Sequence, residues 1–344
     1  MVVGEGEEIE MKEKLRWGVL GCANIAIHSV IPGIKGSETS EVLAIASRGL
    51  EKAKKTAGEL DIERAYGSYE ELLQDPDIDV VYIPLPNHLH KDWTIKAAEA
   101  GKHVLCEKPL ALNQEEAEQM VRACREAGVK LAEAFMYRYH PRYERMKEIL
   151  KSGEIGTIRA LHGTFTFNNA EDKDNVRYRA EWGGGSIYDV GCYPISAARF
   201  LLEQEPEAVT VQGFFSSEHD NVDMMATGLI EFPNQLGVTF MCVMWANFQN
   251  TLQIVGTKGK IDVPNAFIVN SNLGGSFTVT VDGETRTEPV EELNQYTVQV
   301  DEFAKSILEG TPLRFPLEDS IRNMKVIDAC LASARDKKRI LVHK

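Results

Sequence analysis

The sequence lacks a long hydrophobic run, a cysteine pair with metal-binding spacing and an excess of basic residues. No stretch of about 18 or more apolar residues occurs, so no membrane-spanning segment is predicted. The 52 acidic residues against 38 basic ones give a net charge of −14, which argues against nucleic acid or an anionic membrane as the main partner. The six cysteines are scattered without a CxxC pair, so we expect reduced thiols in a cytoplasmic protein, without disulfides or a metal site.

The chain is long enough for two domains, and its pattern changes after about residue 160, so we place the boundary after the last strand of the first pattern, at residue 134. Residues 1–13 are predicted to form a flexible acidic extension, because they lack the apolar core of a secretory signal. Residues 14–134 alternate short apolar strands with helices, which predicts βαβ units and a doubly wound parallel sheet, an α/β domain. Residues 135–344 bring strands together with few helices between them, which predicts an α+β domain with a large, mostly antiparallel sheet.

The junction between the first strand and the first helix reads GCANIA, a G-x-A-x-x-A pattern. A glycine permits a tight turn there, and small residues let backbone N–H groups approach a pyrophosphate. A tight turn without any ligand is the alternative interpretation. The candidate dinucleotide contacts are Gly21, Cys22, Ala23, Asn24 and Ile25.

The end of the second strand indicates which dinucleotide is preferred. The strand VLAIAS ends at Ser47 and Arg48, where an acid would otherwise hold the ribose hydroxyls of NAD. A hydroxyl and a guanidinium suit a 2′-phosphate, so we expect NADP(H) to be preferred, with NAD possible. The alternative is that Arg48 is a solvated loop cation.

Two further strands end in unusual polar residues, in VVYIPLPNHLH and HVLCEKP. Ligands of parallel sheets bind outside the carboxyl ends of the strands, so we expect both ends to face the nicotinamide. Pro109 keeps Lys108 extended, and the bond between them is a candidate for the cis form. His88 and His90 have no third ligand nearby, so we do not expect a metal. The added candidate cofactor contacts are Leu85, Pro86, Asn87, His90, Glu107 and Lys108.

A second group of candidate residues lies at 181–202, in EWGGGSIYDVGCYPISAARFLL. Three glycines lead into an apolar helix, and they allow close packing against a ligand or a neighbouring domain. Asp189 and Tyr193 are four residues apart and therefore share one face of that helix. A carboxylate beside a phenol within apolar surroundings indicates a functional site, and a structural hydrogen bond is the alternative.

With GCANIA, PNHLH, EKPLAL, EAFMYRYHPR and GGGSIYDVGCYPI in this order, the chain resembles the Gfo/Idh/MocA oxidoreductase family from about residue 14 onward. Within the family it is most similar to the branch of glucose–fructose oxidoreductase, dimeric dihydrodiol dehydrogenase and NADP-dependent xylose dehydrogenase. The resemblance implies a Rossmann domain, followed by a domain for substrate binding and oligomerisation whose large sheet commonly forms a dimer interface. It also implies that Lys108 and Tyr193 act in catalysis, with Asp189 beside them.

We therefore expect an NADP(H)-dependent dehydrogenase that acts on a secondary or hemiacetal hydroxyl of a sugar-like or vicinal-diol substrate. Tyr193 would exchange the hydroxyl proton, and the Lys108 ammonium would lower the phenol pKa from ~10. Asp189 would orient Lys108 or a sugar hydroxyl. The candidate substrate contacts are Arg138, Asn169, Arg177, Trp182, Asp189 and Tyr193.

Three alternatives belong to other classes: a non-catalytic NADP-sensing regulatory protein, an NAD(P)-dependent glycosidase-type enzyme that oxidises its substrate transiently, and a methyltransferase. The presence of Lys108, Asp189 and Tyr193 favours the dehydrogenase over the sensor, and methyl transfer needs no such pair. We also expect a homodimer or a dimer of dimers through the C-terminal sheet, because an uncovered GVTFMCVMWANF strand would promote aggregation.

Overall fold

A computed structural model describes residues 14–269 and 274–342 of the chain. The extension predicted for residues 1–13 lies outside the described residues. The strands are β1 Leu15–Leu20, β2 Ser40–Ala46, β3 Arg64–Tyr66, β4 Val80–Ile83, β5 His103–Cys106, β6 Leu131–Glu133, β7 Ile158–Asn168, β8 Ala208–Ser216, β9 Val222–Phe232, β10 Leu236–Val243, β11 Trp245–Gly256, β12 Gly259–Pro264, β13 Phe277–Val281, β14 Glu284–Glu288 and β15 Ile340–Leu341.

The helices alternate with the first strands and return near the C-terminus. Two π-helical turns, Ala26–Val30 and Ile187–Gly191, run directly into α-helices. The α-helices are α1 Ile31–Lys35, α2 Leu50–Glu59, α3 Tyr69–Leu73, α4 His90–Glu99, α5 Gln114–Glu126, α6 Pro141–Ser152, α7 Cys192–Leu202, α8 Gln295–Leu308 and α9 Leu317–Asp336.

The first sheet is doubly wound, as the sequence pattern predicts. Its six strands lie in the order β3-β2-β1-β4-β5-β6, and every neighbouring pair is parallel. Strand β4 is buried along its whole length because helices cover both faces of the sheet. Helix α5 begins where the Asn113 side chain accepts a hydrogen bond from the Glu116 backbone N–H at 2.9 Å. The carboxyl ends of β1, β4 and β5 meet at one edge of the sheet.

The second sheet is large and mostly antiparallel, which confirms the predicted fold class. Its nine strands lie in the order β14-β13-β12-β11-β7-β10-β9-β8-β15, and β7 pairs with β10 in parallel. The run GVTFMCVMWANF, predicted as one strand, is divided at Met244 between β10 and β11. Helices α7 and α9 pack on this sheet and place Tyr193, at the start of α7, over β7.

Helix α8 crosses back from the C-terminal part of the chain to the first sheet. Its buried residues Val300, Phe303 and Ala304 belong to the same apolar cluster as Trp17 of β1. The rings of Trp17 and Phe303 pack edge to face, with centroids 6.0 Å apart. The domain boundary at residue 134 stays a prediction. Helix α8 follows that boundary in the sequence, but it packs on the first sheet, which precedes the boundary.

None of the helices in the described ranges is long and apolar enough to cross a bilayer.

Candidate active site

Lys108 lies beyond the end of β5 and reaches across to the helix that carries Asp189. Its Nζ donates a hydrogen bond to the Asp189 carbonyl oxygen at 2.9 Å and lies 3.4 Å from the carboxylate Oδ1. The Lys108–Pro109 peptide bond is cis. The neighbouring Glu107 accepts a hydrogen bond from the Tyr82 hydroxyl at 2.6 Å. The strand-end lysine therefore joins the two halves of the protein.

Asp189 lies between two cations. The Arg177 Nε contacts its other carboxylate oxygen, Oδ2, at 2.6 Å. Burial alone would raise the pKa of Asp189, but Arg177 and Lys108 bring it below its ordinary value. Burial likewise opposes the charge on Lys108, yet Asp189 raises the pKa of that ammonium. The pair is therefore charged at neutral pH, although the two side chains are only 13% and 15% exposed.

Tyr193 lies in an aromatic cage beside Lys108. Its ring centroid is 5.5 Å from Phe135, 5.2 Å from Phe165 and 5.5 Å from Phe267. The Lys108 Nζ lies over the ring, 5.1 Å from its centroid. The lysine and the tyrosine, which the sequence places 85 positions apart (193 minus 108), are thus brought together.

The phenol of Tyr193 is protonated in this arrangement. Burial raises its pKa well above the ordinary value, and the nearby Cys192 and Glu107 raise it further. The expectation that Lys108 lowers this pKa is wrong for the structure as it stands. The physical reason is that the ammonium is paired with Asp189 and faces the ring, so it offsets little of the cost of burying a phenolate.

Two neighbouring cavities meet at this cluster. The larger, which we call the cofactor cavity, has a volume of about 420 Å³ and follows the strand ends of the first sheet. The smaller, which we call the aromatic cavity, has a volume of about 310 Å³ and contains Tyr193. Both are lined by Lys108, Arg177 and Asp189. A group in one cavity is therefore next to a group in the other.

Most of the predicted cofactor contacts line the cofactor cavity, namely Ala23, Asn24, Ile25, Leu85, Pro86, Asn87, Glu107 and Lys108. Gly21 makes the turn just before this wall, with φ at +120°, and a Cβ there would lie 3.2 Å from Leu85 Cδ2. Cys22 follows it and is half-buried. The glycine is thus needed for both the backbone conformation and the close approach.

Ser47 and Arg48 lie beside the glycine turn rather than on the cavity wall. Ser47 is buried, whereas Arg48 is exposed. Tyr69 lies near both the glycine turn and Arg48. A Cβ placed on Gly21 would be 3.8 Å from the Tyr69 hydroxyl oxygen. Burial raises the pKa of Tyr69, and the charge of Arg48 partly offsets that rise. A guanidinium therefore lies at the outer end of the predicted dinucleotide path.

Three predicted contacts need correction, beginning with His90. Its ring is fully buried, with Nδ1 3.0 Å from the Pro109 carbonyl oxygen and Nε2 2.8 Å from that of Leu85. The imidazole therefore bridges the two loops that carry the cavity wall and has no surface left for a cofactor. Burial lowers the pKa of His90 to about 4. His90 is a positioning residue for those loops.

Arg138 and Asn169, predicted to bind substrate, lie outside both cavities. Arg138 is 3% exposed and donates from Nη1 to Asp319 at 2.6 Å and from Nε to Ser196 at 3.0 Å. The Asn169 side chain instead accepts a hydrogen bond from the hydroxyl of Tyr178. The Arg138 guanidinium and the Asn169 side-chain oxygen are therefore used for contacts within the protein.

The other predicted substrate contacts lie on the cavity walls, and Trp182 lines the cofactor cavity. The Trp182 ring stacks on His88, with centroids 5.0 Å apart. Close by, the Asn87 side chain donates to the Gly183 carbonyl oxygen at 2.8 Å. A Cβ at Gly183 would lie only 3.1 Å from the Asn87 Cβ, so the glycine permits this contact between the two halves.

Seven apolar or aromatic wall residues of the aromatic cavity were missed by sequence reasoning, and four of them come from distant elements. They lie on β7, on β11, after β12 and at the start of α8, and only long-range packing brings them together. The alternating pattern of β7 was the single local signal, since it predicts an inward-facing phenylalanine. These four residues are Phe165, Phe248, Ile268 and Tyr296, and the other three missed residues are Met136, Phe167 and Val190.

A doubly wound sheet with a glycine turn after its first strand is the architecture of dinucleotide-binding enzymes. Residues 15–135 match the Oxidoreductase family, NAD-binding Rossmann fold, and residues 143–262 match the GFO/IDH/MocA C-terminal domain. The chain therefore belongs to the GFO/IDH/MocA oxidoreductase family, which confirms the resemblance seen in its motifs.

Similar proteins span nearly the whole chain. The chain is 42% identical to the uncharacterized oxidoreductase ORF334 of Rhizobium meliloti, covering 93% of this chain and 97% of that one. It is 38% identical to D-xylose 1-dehydrogenase (NADP(+)) 2 of Haloferax volcanii, with the same coverage. Among solved structures, KijD10, a 3-ketoreductase from Actinomadura kijaniata in complex with NADP and TDP-benzene, is 30% identical with a TM-score of 0.88, covering 93% of this chain and 98% of that one.

Proposed function

We propose that this protein is an NADP(H)-dependent oxidoreductase that transfers hydride between the nicotinamide and a hydroxyl-bearing or carbonyl carbon of a sugar-like substrate. One observation carries the proposal: a charged lysine and a protonated phenol stand together where the cofactor cavity meets the aromatic cavity. The names of the xylose dehydrogenase and the sugar 3-ketoreductase support the same reaction class.

The residues of the cofactor cavity fit a dinucleotide. Gly21 adopts a φ that other residues rarely adopt, and it lets the backbone before Ala23 and Asn24 form a tight turn. The exposed Arg48 has no carboxylate partner within the described residues, and it lies near the same turn. We propose that Arg48 and Ser47 hold a 2′-phosphate, which gives the preference for NADP(H). NADP(H), when bound, supplies or accepts the hydride.

Tyr193 and Lys108 handle the proton in this proposal. The raised pKa of Tyr193 keeps its hydroxyl protonated, so the residue is suited to donate a proton to a carbonyl oxygen during reduction. The Lys108 ammonium has further N–H donors besides the one bonded to Asp189, and one of them can hydrogen-bond the same oxygen. Asp189 and Arg177 hold the ammonium in place. In the oxidation direction, Tyr193 must first lose its proton, so we expect the oxidation rate to rise toward alkaline pH.

The test is absorbance at 340 nm with NADP⁺ or NAD⁺ and a panel of aldoses, anhydro sugars and trans-dihydrodiols. We expect net NADPH formation with at least one sugar, and consumption of NADPH with the matching keto sugar or lactone. Cofactor binding without turnover on the whole panel would support a sensor instead, and product release without net NADPH would support transient oxidation.

We further propose a homodimer that forms through the open face of the second sheet. This face carries large apolar side chains on neighbouring strands: Phe214 lies opposite Met225, and Leu229 lies on the same strand as Met225, opposite Thr239. Phe214 is 49% exposed and Leu229 is 40% exposed, which is unfavourable for a surface in water. Light scattering on the purified protein should give twice the chain mass, and Leu229→Lys should give monomers. A wild-type monomer would contradict this proposal.

A further inference from the structure

A buried carboxylate from β9, Asp223, accepts two hydrogen bonds from the start of the π-helical turn Ile187–Gly191. Its Oδ2 accepts one from the Ser186 hydroxyl at 2.8 Å and one from the Ile187 backbone N–H at 2.8 Å. Asp223 is 2% exposed and lines neither the cofactor cavity nor the aromatic cavity. Its carboxylate therefore acts on the backbone of the protein and not on a ligand in either cavity.

A glycine lets the backbone lie directly against this carboxylate. A Cβ placed on Gly185 would overlap the Asp223 Oδ1, and the φ of Gly185, +116°, is one that other residues rarely adopt. Any other residue at this position would therefore push the carboxylate and the backbone apart. The last glycine of the GGG stretch is needed here for the close approach to Asp223.

Two backbone hydrogen bonds connect Gly185 to the residues that surround the Lys108 ammonium. The Gly185 N–H donates to the Arg177 carbonyl oxygen at 3.0 Å, and the Asp189 N–H donates to the Gly185 carbonyl oxygen at 3.0 Å. The Asp189 carbonyl oxygen in turn accepts the hydrogen bond from the Lys108 Nζ at 2.9 Å. Asp223 therefore lies behind both residues that hold the ammonium in the proposed function.

The charge of Asp223 is unfavourable at this buried place. Burial raises the pKa of Asp223 to about 6, because the two hydrogen bonds and the positive charge of Arg335 offset only part of the cost of burying the carboxylate. The side chain is ionised at pH 8, and it then makes two charge-assisted hydrogen bonds through one oxygen. The firm hold on the turn is what the protein gains from a carboxylate here.

We propose that Asp223 is a positioning residue: by holding the start of the π-helical turn, it fixes the Asp189 carbonyl oxygen where the Lys108 ammonium needs it. This inference rests on the proposed function and adds to it a residue that touches neither substrate nor cofactor. Loss of the Asp223 side chain should therefore loosen the hold on the ammonium and leave the glycine turn of the first sheet unchanged.

Asp328 of α9 offers a matched control, because it makes the same kind of contact with another helix. Its Oδ2 accepts a hydrogen bond from the backbone N–H of Gln114, the first residue of α5, at 2.8 Å. Burial raises the pKa of Asp328 to about 6 as well. No residue of α5 lines the cofactor cavity or the aromatic cavity. Loss of this carboxylate should therefore cost stability without reaching Lys108.

The first test measures how fast acetic anhydride acetylates Lys108 at pH 8 in the protein without substrate, by mass spectrometry of a digest. Burial opposes the charge of Lys108 but Asp189 raises its pKa, so a looser contact should lower that pKa and increase the fraction of reactive neutral amine. A fall of half a pKa unit makes the labelling about threefold faster. We expect at least this increase in Asp223→Ala and a smaller one in Ser186→Ala, which removes one of the two donors. Asp223→Asn, which keeps an acceptor oxygen, and Asp328→Ala should label like the wild type.

The second test measures steady-state rates of the same variants per folded molecule, with the folded fraction taken from urea denaturation. Asp223→Ala should lower kcat about 10–100-fold, because a displacement of about 1 Å at reacting groups can cost a factor of about 10². The KM for NADP⁺ should change little, since the glycine turn and the strand ends of the first sheet are untouched. Asp223→Asn should restore most of kcat, and Asp328→Ala should keep it.

The labelling rate separates this inference from the proposed function. Unchanged labelling of Lys108 in Asp223→Ala, or in Ser186→Ala if the first variant does not fold, would overturn the inference and leave the proposed function standing. Equally fast labelling in Asp328→Ala would overturn it too, because lost stability would then explain both results. So would an unchanged kcat in a variant that labels faster. Faster labelling confined to the Asp223 and Ser186 variants, with no turnover of any substrate by the wild type, would support the positioning role and contradict the proposed function.

Discussion

Two largely buried aspartates, Asp189 and Asp319, each lie between two cations, and only the first of these two clusters borders a cavity. The cavity cluster consists of Lys108, Asp189 and Arg177, with N–O distances of 3.4 and 2.6 Å. Its lysine and arginine line the cofactor cavity and the aromatic cavity. A ligand in either cavity can therefore compete for their hydrogen bonds.

The core cluster consists of Arg138, Asp319 and Arg199, with N–O distances of 2.6 and 2.8 Å. Its arginine side chains are 3% and 2% exposed, and none of the three residues lines a described cavity. The guanidinium of Arg138 also packs against the Phe135 ring at 4.8 Å. The same charge pattern therefore serves chemistry in one place and tertiary packing in the other, and access to a cavity makes the difference.

The largest expected effect is on turnover, from the cavity cluster and its phenol. Tyr193→Phe and Lys108→Met should each lower kcat by ~10²–10⁴-fold, because each removes a group that handles the reacting oxygen or its proton. Steady-state rates and thermal unfolding are measured together: the unfolding midpoint of Tyr193→Phe should change little, whereas Lys108→Met leaves Asp189 with one cation fewer, so its kcat is given per folded molecule. Tyr137→Phe is the control, since that phenol bonds to Ser196 away from both cavities. Near wild-type turnover in both site variants would contradict the assignment.

The core cluster should respond in the opposite way. Arg138→Met leaves Asp319 with one cation fewer in a buried site, which should lower the free energy of unfolding by about 3–5 kcal/mol. Urea denaturation measures this loss, and kcat per folded molecule should stay within about twofold. A variant that keeps its stability and loses its activity would show that Arg138 belongs to the active site after all.

Glu133 lies between the two clusters. Its titration should make the stability of the protein depend on pH, which provides a further test of this region. The Glu133 Oε1 accepts a hydrogen bond from the backbone N–H of Leu110, which lies two residues beyond Lys108, at 3.0 Å. Burial raises the pKa of Glu133 to about 7, against about 4.3 in an unfolded chain, although the positive charge of Arg138 acts to lower it. The folded state therefore holds the proton more tightly, and this group makes stability fall as pH rises from about 4 to about 7.

Glu133→Gln removes that pH dependence, because an amide does not titrate. When the pH is raised from 5 to 8, the variant should therefore lose less unfolding free energy than the wild type. The two losses should differ by on the order of 2 kcal/mol, because one pKa unit corresponds to about 1.4 kcal/mol. Urea denaturation at both pH values gives the result, with Glu126→Gln at the exposed end of α5 as the control. An unchanged pH dependence would mean that Glu133 is ionised in the folded protein.

The smallest effect is expected for Arg48, a cation without a carboxylate partner among the described residues. Arg48→Ala should raise the KM for NADP⁺ about 10–100-fold, as expected for losing a charge-assisted hydrogen bond of about 1.5–3 kcal/mol. The KM for NAD⁺ should change less than about twofold, which makes the ratio the readout. Equal changes for both cofactors would assign Arg48 to the loop structure instead of the phosphate.

Local patterns of strands, helices and turns predicted both sheets, whereas the meeting of Lys108 with Asp189 was implied by the resemblance to the oxidoreductase family. The sequence did not distinguish Arg177 from Arg138: both are arginines near aromatic residues, and burial is decided by distant parts of the chain. Arg138 is buried by α7 and α9, whose side chains Ser196 and Asp319 satisfy it. The phenol pKa was also mispredicted, since the cost of burying Tyr193 exceeds the benefit of a nearby ammonium.

Helix α8 has a consequence for anyone who wishes to engineer the protein by exchanging parts. Because Phe303 and its neighbours complete the apolar layer over Trp17, a fragment that stops at residue 134 would leave that layer in water. A chimera that imports the nucleotide-binding half from a relative must therefore import a matching segment for Gln295–Leu308, or redesign the seam between them.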